Sequence, residues 1–183
     1  MLNTFLCNIS TWTFILAFIP LLSIAQADNN GLVDSLKYVT DMPYMCESEK
    51  PYDVGCGSEI FWKVVQQKET VIPLLINKLA DSTTTEAYVP NFGGQYTVGD
   101  IAYCALEEII HGIPTFKLLG VKFDTHGCGY CAYWNHLRRD IKNRKKFQAA
   151  VRSWYEKNKS NLIWIPSGQP FTGPHNGGMF HLK

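Results

Sequence analysis

The segment Asp124-Thr125-His126-Gly127-Cys128-Gly129-Tyr130-Cys131-Ala132-Tyr133-Trp134 places two thiols at CxxC spacing where a helix is expected to begin. Thiols so spaced support three kinds of chemistry. They can form a redox pair in which Cys128 attacks and Cys131 resolves. They can supply half of a zinc site, completed by His126 and His136 or by Cys46 and Cys56. They can also be structural, bridged to each other or to cysteines elsewhere. No residue pattern in the chain calls for a cofactor.

The choice depends on the compartment. Residues 1–27 carry no charged side chain, include the apolar run Phe14 to Leu22, and end in Ala25-Gln26-Ala27, which has the small-x-small form of a signal peptidase site. This predicts a signal peptide over 1–27 and a secreted or periplasmic mature chain over 28–183. The start of the segment lacks Lys and Arg, so an uncleaved membrane anchor is the alternative. Residues 28–183 are enough for one domain with an ordinary core. Their cysteines are Cys46, Cys56, Cys104, Cys128 and Cys131, and in an oxidising compartment the odd count predicts two bridges and a leftover thiol. Cys104, inside an apolar helical pattern, is the expected leftover.

Gly129-Tyr130 between the cysteines, after an apolar extended segment, resembles a thioredoxin-like motif and would imply a thiol-disulfide oxidoreductase. That fold also needs a strand-helix-strand unit before the motif and two antiparallel strands after it. Here the residues beyond Cys131 read mainly as two helices. Gly127-Cys128-Gly129-Tyr130-Cys131 is similar to the papain family's Cys-Gly-x-Cys-Trp, but the histidine such a nucleophile needs would be His175, much too soon after the motif. Zinc must compete with oxidation outside the cell. The structural reading is preferred: a Cys128–Cys131 clasp beside a Cys46–Cys56 bridge, or crossed bridges between the two pairs. A bridge closing a sizeable loop contributes about 2–4 kcal/mol, which favours crossing without choosing a connectivity.

Charge is uneven along the chain. Residues 28–137 hold seven Lys/Arg against fourteen Asp/Glu, and residues 138–159 hold nine against two. Arg138, Arg139, Lys142, Arg144, Lys145 and Lys146 are thus a candidate surface for an anionic partner or an acidic protein. The plainer reading is a solvated helix face complementing the acidic part of the molecule. Export makes a nucleic-acid partner unexpected, and a membrane partner is expected only if the N-terminal segment is retained. Glu108 and His111 have the spacing of a carboxylate-bridged metal pair but lack a second copy. Asn158-Lys159-Ser160 is a formal glycosylation sequon. His175 and His181 fall in what reads as an irregular tail.

The elements that must position these groups are mostly helical. Leu32, Val33, Leu36 and Val39 suggest a first short helix. Ser58 is placed to cap a second carrying Ile60, Phe61, Val64 and Val65, and Pro73 fits the first turn of a third. Glu86 to Tyr96, with Pro90, Gly93 and Gly94, predicts a hairpin or an ordered loop. Thr97-Val98-Gly99-Asp100 has the spacing of a capping box and opens the clearest helix, which Gly112 and Pro114 end. Two more helices should follow the CxxC. Leu162 to Ile165 reads as a strand or an apolar clip, and the chain from about 166 as irregular.

Within this pattern Val71-Ile72-Pro73-Leu74-Leu75-Ile76-Asn77-Lys78-Leu79-Ala80-Asp81 and Val98-Gly99-Asp100-Ile101-Ala102-Tyr103-Cys104-Ala105-Leu106-Glu107-Glu108-Ile109 resemble a HEAT-type helical repeat pair. Such a pair has an early proline and a Leu-rich face in the first helix and an Ala-rich face in the second. The resemblance covers residues 71–110, with a longer linker than the family's and no second copy. It implies helix-pair packing and a scaffold or binding role. The expected whole is a mainly α, disulfide-stabilised single domain, non-enzymatic, with a binding or structural role. The oxidoreductase and the basic binding module are the alternatives.

Overall fold

The computed structural model describes residues 28–43, 57–89, 92–123, 129–167 and 177–183. The expected signal peptide and Cys46, Cys56, His126, Cys128 and His175 lie outside these residues. Among the described residues no helix is long and apolar enough to cross a membrane.

The chain is mainly helical, as its periodicity predicts. Helix α1 covers 28–34 and tightens into a 3-10 turn at Ser35–Tyr38, which buries Leu36. Helix α2, Glu59–Val65, buries Phe61, Trp62, Val64 and Val65. Ser58 stands at its N-cap but makes no side-chain capping bond. Helix α3, Ile72–Lys78, carries Pro73 in its first turn, where a missing amide hydrogen costs no helical bond. Helix α4, Val98–Ile109, begins with the full capping box: Thr97 N–H donates to Asp100 Oδ2 at 3.0 Å, and Asp100 N–H to Thr97 Oγ1 at 3.3 Å.

Strands β1, Thr84–Tyr88, and β2, Gln95–Thr97, form an antiparallel hairpin between α3 and α4. Thr85 and Ala87 point inward while Thr84, Glu86 and Tyr88 face solvent, the alternation of a half-buried strand. The hairpin is inserted between helix ends that touch each other. Gly99 N–H donates to Asp81 O at 2.9 Å, and a Cβ on Gly99 would lie 2.5 Å from Leu79 O. The helix pair expected over 71–110 therefore packs, with the hairpin looping out where such a pair would have a short turn.

Helix α5, Thr115–Leu119, ends at Gly120 in the left-handed conformation. Helix α6, Cys131–Arg139, is followed directly by α7, Ile141–Asn158, which Asp140 caps through Lys142 N–H. Helix α7 packs against α3, α5 and α6. Gln148 donates from Nε2 to the carbonyls of Ile76, at 2.9 Å, and Asn77, at 2.7 Å, which ties α7 to the last turn of α3. One apolar core joins α1–α4, the hairpin, α6 and α7. At its centre Tyr103 stacks on Tyr133, with ring centroids 5.6 Å apart, and meets Phe147 edge-on at 5.0 Å.

The end of the chain differs from the irregular tail expected beyond 166. Strand β3, Leu162–Pro166, pairs antiparallel with β4, Gly178–Leu182, in an unbroken register from Leu162–Leu182 to Pro166–Gly178. Trp164 and Phe180 meet across the pair at 5.1 Å. Phe180 accepts at its carbonyl from His111 N–H at 2.8 Å, which fastens β4 to the chain just beyond α4.

Candidate functional site

The best-formed polar cluster facing a cleft lies where the end of α4, the start of α5 and the start of α6 converge. Glu107, on the third turn of α4, accepts at Oε1 from Thr115 Oγ1–H and from Tyr130 Oη–H, each at 3.2 Å. Tyr103 Oη lies 2.6 Å from Thr115 Oγ1. With Tyr103 donating to Thr115, the single Thr115 proton is shared between the Glu107 carboxyl and the Ile113 carbonyl, which lies 3.3 Å from Thr115 Oγ1, and the hydroxyls link the core to the cleft. Glu107, His111, Thr115, Phe116, Lys117 and Tyr130 line this cleft of about 450 Å³ together with the turn Ile110 to Pro114.

The electrostatics follow from burial. Partial burial raises the Glu107 carboxyl above its ordinary 4.5, and the hydroxyl bonds from Thr115 and Tyr130 oppose the rise without cancelling it. Burial next to Glu107 pushes the Tyr130 phenol up to about 12, so it remains a donor. Cys104, one turn before Glu107, is the free cysteine among the described residues. Burial and then the charge of Glu107 drive its thiol well above the usual range, so it lacks the thiolate character of a nucleophile. The mouth of the cleft is aromatic. Phe116, Phe123 and Tyr130 form an edge-to-face trio with centroids 4.9 to 6.3 Å apart, and Phe123 and Tyr130 are both exposed.

The residues singled out by the sequence are dispersed. Cys131 opens α6 at one side of this cleft and is disulfide-bonded; the cysteine it joins lies outside the described residues, so no bridge is seen between two described cysteines. His126 and Cys128 of the zinc set also lie outside. His136 is half-buried on α6, where its backbone carbonyl accepts from Asn143. Among the described residues no group of three or more His, Cys, Asp or Glu could hold a metal ion.

The basic run is divided between surface and interior. Arg144 is buried, making a two-pronged ion pair with Asp100: Nη1 to Oδ1 at 2.9 Å and Nη2 to Oδ2 at 3.2 Å, with 4% and 0% of the two side chains exposed. It is therefore not part of a surface patch. Arg138 is exposed but engaged. It donates to the carbonyls of Gly93 at 2.9 Å and Gln95 at 3.2 Å, and its guanidinium lies 4.8 Å from the centre of the Phe92 ring. Arg139, Lys142, Lys145 and Lys146 remain on the solvent side of α6 and α7.

The i, i+3 spacing to His111 points to Glu108 rather than to Glu107, yet the sequence also carries a signal for Glu107. Tyr103, Glu107 and His111 repeat every four residues, which puts an acid on the same face as a buried ring. His181 is not in an irregular tail: its ring stacks on that of His111, with centroids 4.5 Å apart. No protein family, curated protein or solved structure matches the chain.

Proposed function

We propose that the chain is an exported, bridge-stabilised helical domain that binds a small ligand in the cleft of Glu107, Thr115 and Tyr130 and does no chemistry on it. The observation that carries this reading is the carboxyl lining that cleft, half-buried, oriented by two hydroxyl donors and beside an aromatic trio of which Phe123 and Tyr130 are exposed. An acid held this way is arranged to recognise, since ligand pockets combine apolar walls with a few convergent polar groups. The neighbouring thiol, Cys104, is held protonated by burial, which argues against nucleophilic catalysis there.

The cysteine framework supports the same reading. With Cys104 free, Cys46, Cys56, Cys128 and Cys131 can make two bridges. A bridge from Cys131 to Cys46 or Cys56 would tie the start of α6, and with it Tyr130, to the loop before α2. The alternative is an exported oxidoreductase with a reversible Cys128–Cys131 bond, since Cys131 stands at a helix start. A basic module would rest on Arg139, Lys142, Lys145 and Lys146.

The test is a small-molecule screen on the whole exported protein by NMR. Ligands are expected to perturb Glu107, Thr115 and Tyr130 together. Hits confined to α7 would favour the basic module, and a protein that exchanges disulfides with a reduced peptide would favour the oxidoreductase.

A further inference from the structure

We infer that the cleft selects a small organic ammonium ion carrying an apolar or aromatic body, with Glu107 as its counter-ion and Phe116 and Tyr130 as its walls. The inference rests on the binding role proposed above and names the class of ligand.

The lining offers charges of both signs, and depth decides between them. Glu107 is half-buried, whereas His111 and Lys117 are exposed. Coulomb attraction to a half-buried carboxylate is much less screened than attraction to side chains in open water. The carboxyl is also fixed in direction, because both hydroxyl bonds fall on Oε1. Thr115 and Tyr130 hold the acid without neutralising it. A cation arriving in the cleft completes what they leave undone, and its binding offsets the burial that now raises the carboxyl's pKa.

The walls point the same way. Phe116 and Tyr130 stand edge-to-face at 5.3 Å, and the faces of such rings attract cations through their quadrupoles. Ile113 and Pro114 supply apolar lining for the rest of the ligand. A carboxylate sharing a cleft with aromatic rings is suited to R–NH3⁺, which can bond to oxygen with its hydrogens and lie against a ring with its alkyl carbon. Exposed aromatics gathered in one cluster are themselves a mark of a binding surface.

The test is titration of the whole exported protein with 2-phenylethylamine, 2-phenylethanol and phenylacetate, three probes of similar size carrying positive, zero and negative charge. Binding is read from the NMR signals of Glu107, Thr115 and Tyr130. The amine is expected to bind about tenfold more tightly than either of the others. Glu107→Gln, which keeps a carbonyl acceptor for both hydroxyls, is expected to abolish that preference while the variant still unfolds cooperatively in urea and keeps the wild-type NMR fingerprint away from the cleft. Preference for phenylacetate, or an amine preference that survives Glu107→Gln, would overturn the ligand class and leave the binding role standing. Binding of none of the three, together with an empty small-molecule screen, would overturn the binding role itself.

Discussion

Glu107 and Asp100 lie two turns apart on α4 and illustrate two ways of keeping an acid inside a protein. Asp100 is fully buried and is matched by the Arg144 guanidinium and by its own capping bonds. Glu107 is only half-buried and is matched by hydroxyls, which donate hydrogen bonds but carry no charge. Removing one partner of a buried pair strands the other, so Asp100→Ala is expected to cost about 3–5 kcal/mol in urea unfolding. Adding Arg144→Met should recover part of that loss, because the stranded charge is then gone; strictly additive losses would mean the two side chains are not coupled. For Glu107 the sign is different. Its folded-state pKa lies above the ordinary 4.5, so its contribution to stability is fully present below that value and is lost as pH rises through the raised folded pKa. Comparing wild type with Glu107→Gln in unfolding experiments across this range should show wild type losing relative stability as pH rises, and a flat difference would count against the assignment.

At the scale of elements, the joint between α3 and α4 depends on a single missing side chain. Gly99 brings the first turn of α4 against the carbonyls of Leu79 and Asp81, and a Cβ there would meet backbone oxygens at 2.5 and 2.8 Å. Backbone cannot step aside as a flexible side chain can. Gly99→Ala is expected to destabilise by about 1–3 kcal/mol, measured by thermal or urea unfolding, with the hairpin signals shifting most. The same joint explains why the linker between the two helices is long. The hairpin starts and ends at one point, so its length alters neither helix, and Arg138 from α6 closes over its tip. The capping box and the helix pair were legible in the sequence because both are local patterns. Strand β4 was not legible. Gly178-Met179-Phe180-His181-Leu182 is too short and glycine-flanked to stand out, and it becomes a strand only because β3 and the backbone beyond α4 offer it hydrogen-bond partners.

For the molecule as a whole, the bonded Cys131 and the cleft meet at the start of α6. Reduction of the protein is expected to lower its unfolding free energy by about 2–4 kcal/mol if Cys131 is joined to Cys46 or Cys56. A Cys128–Cys131 clasp closes only a few residues and would cost much less, so calorimetry with and without reductant distinguishes the two. Peptide mass spectrometry after thiol alkylation would then name the pairs. Mainly helical architecture, the positions of α3 and α4 and the free Cys104 could be read from the sequence, since each depends on neighbours three or four residues away or on the chemistry of one residue type; for the segment between the helices the sequence allows a hairpin or a loop. Only the tertiary structure buried Arg144 out of a run of surface cations, turned His181 onto His111, and gathered Tyr103, Glu107, Thr115 and Tyr130 around one cleft. Those outcomes depend on which distant segments are packed together, and pairs such as Asp100 with Arg144, 44 positions apart, leave no periodic trace in a single chain.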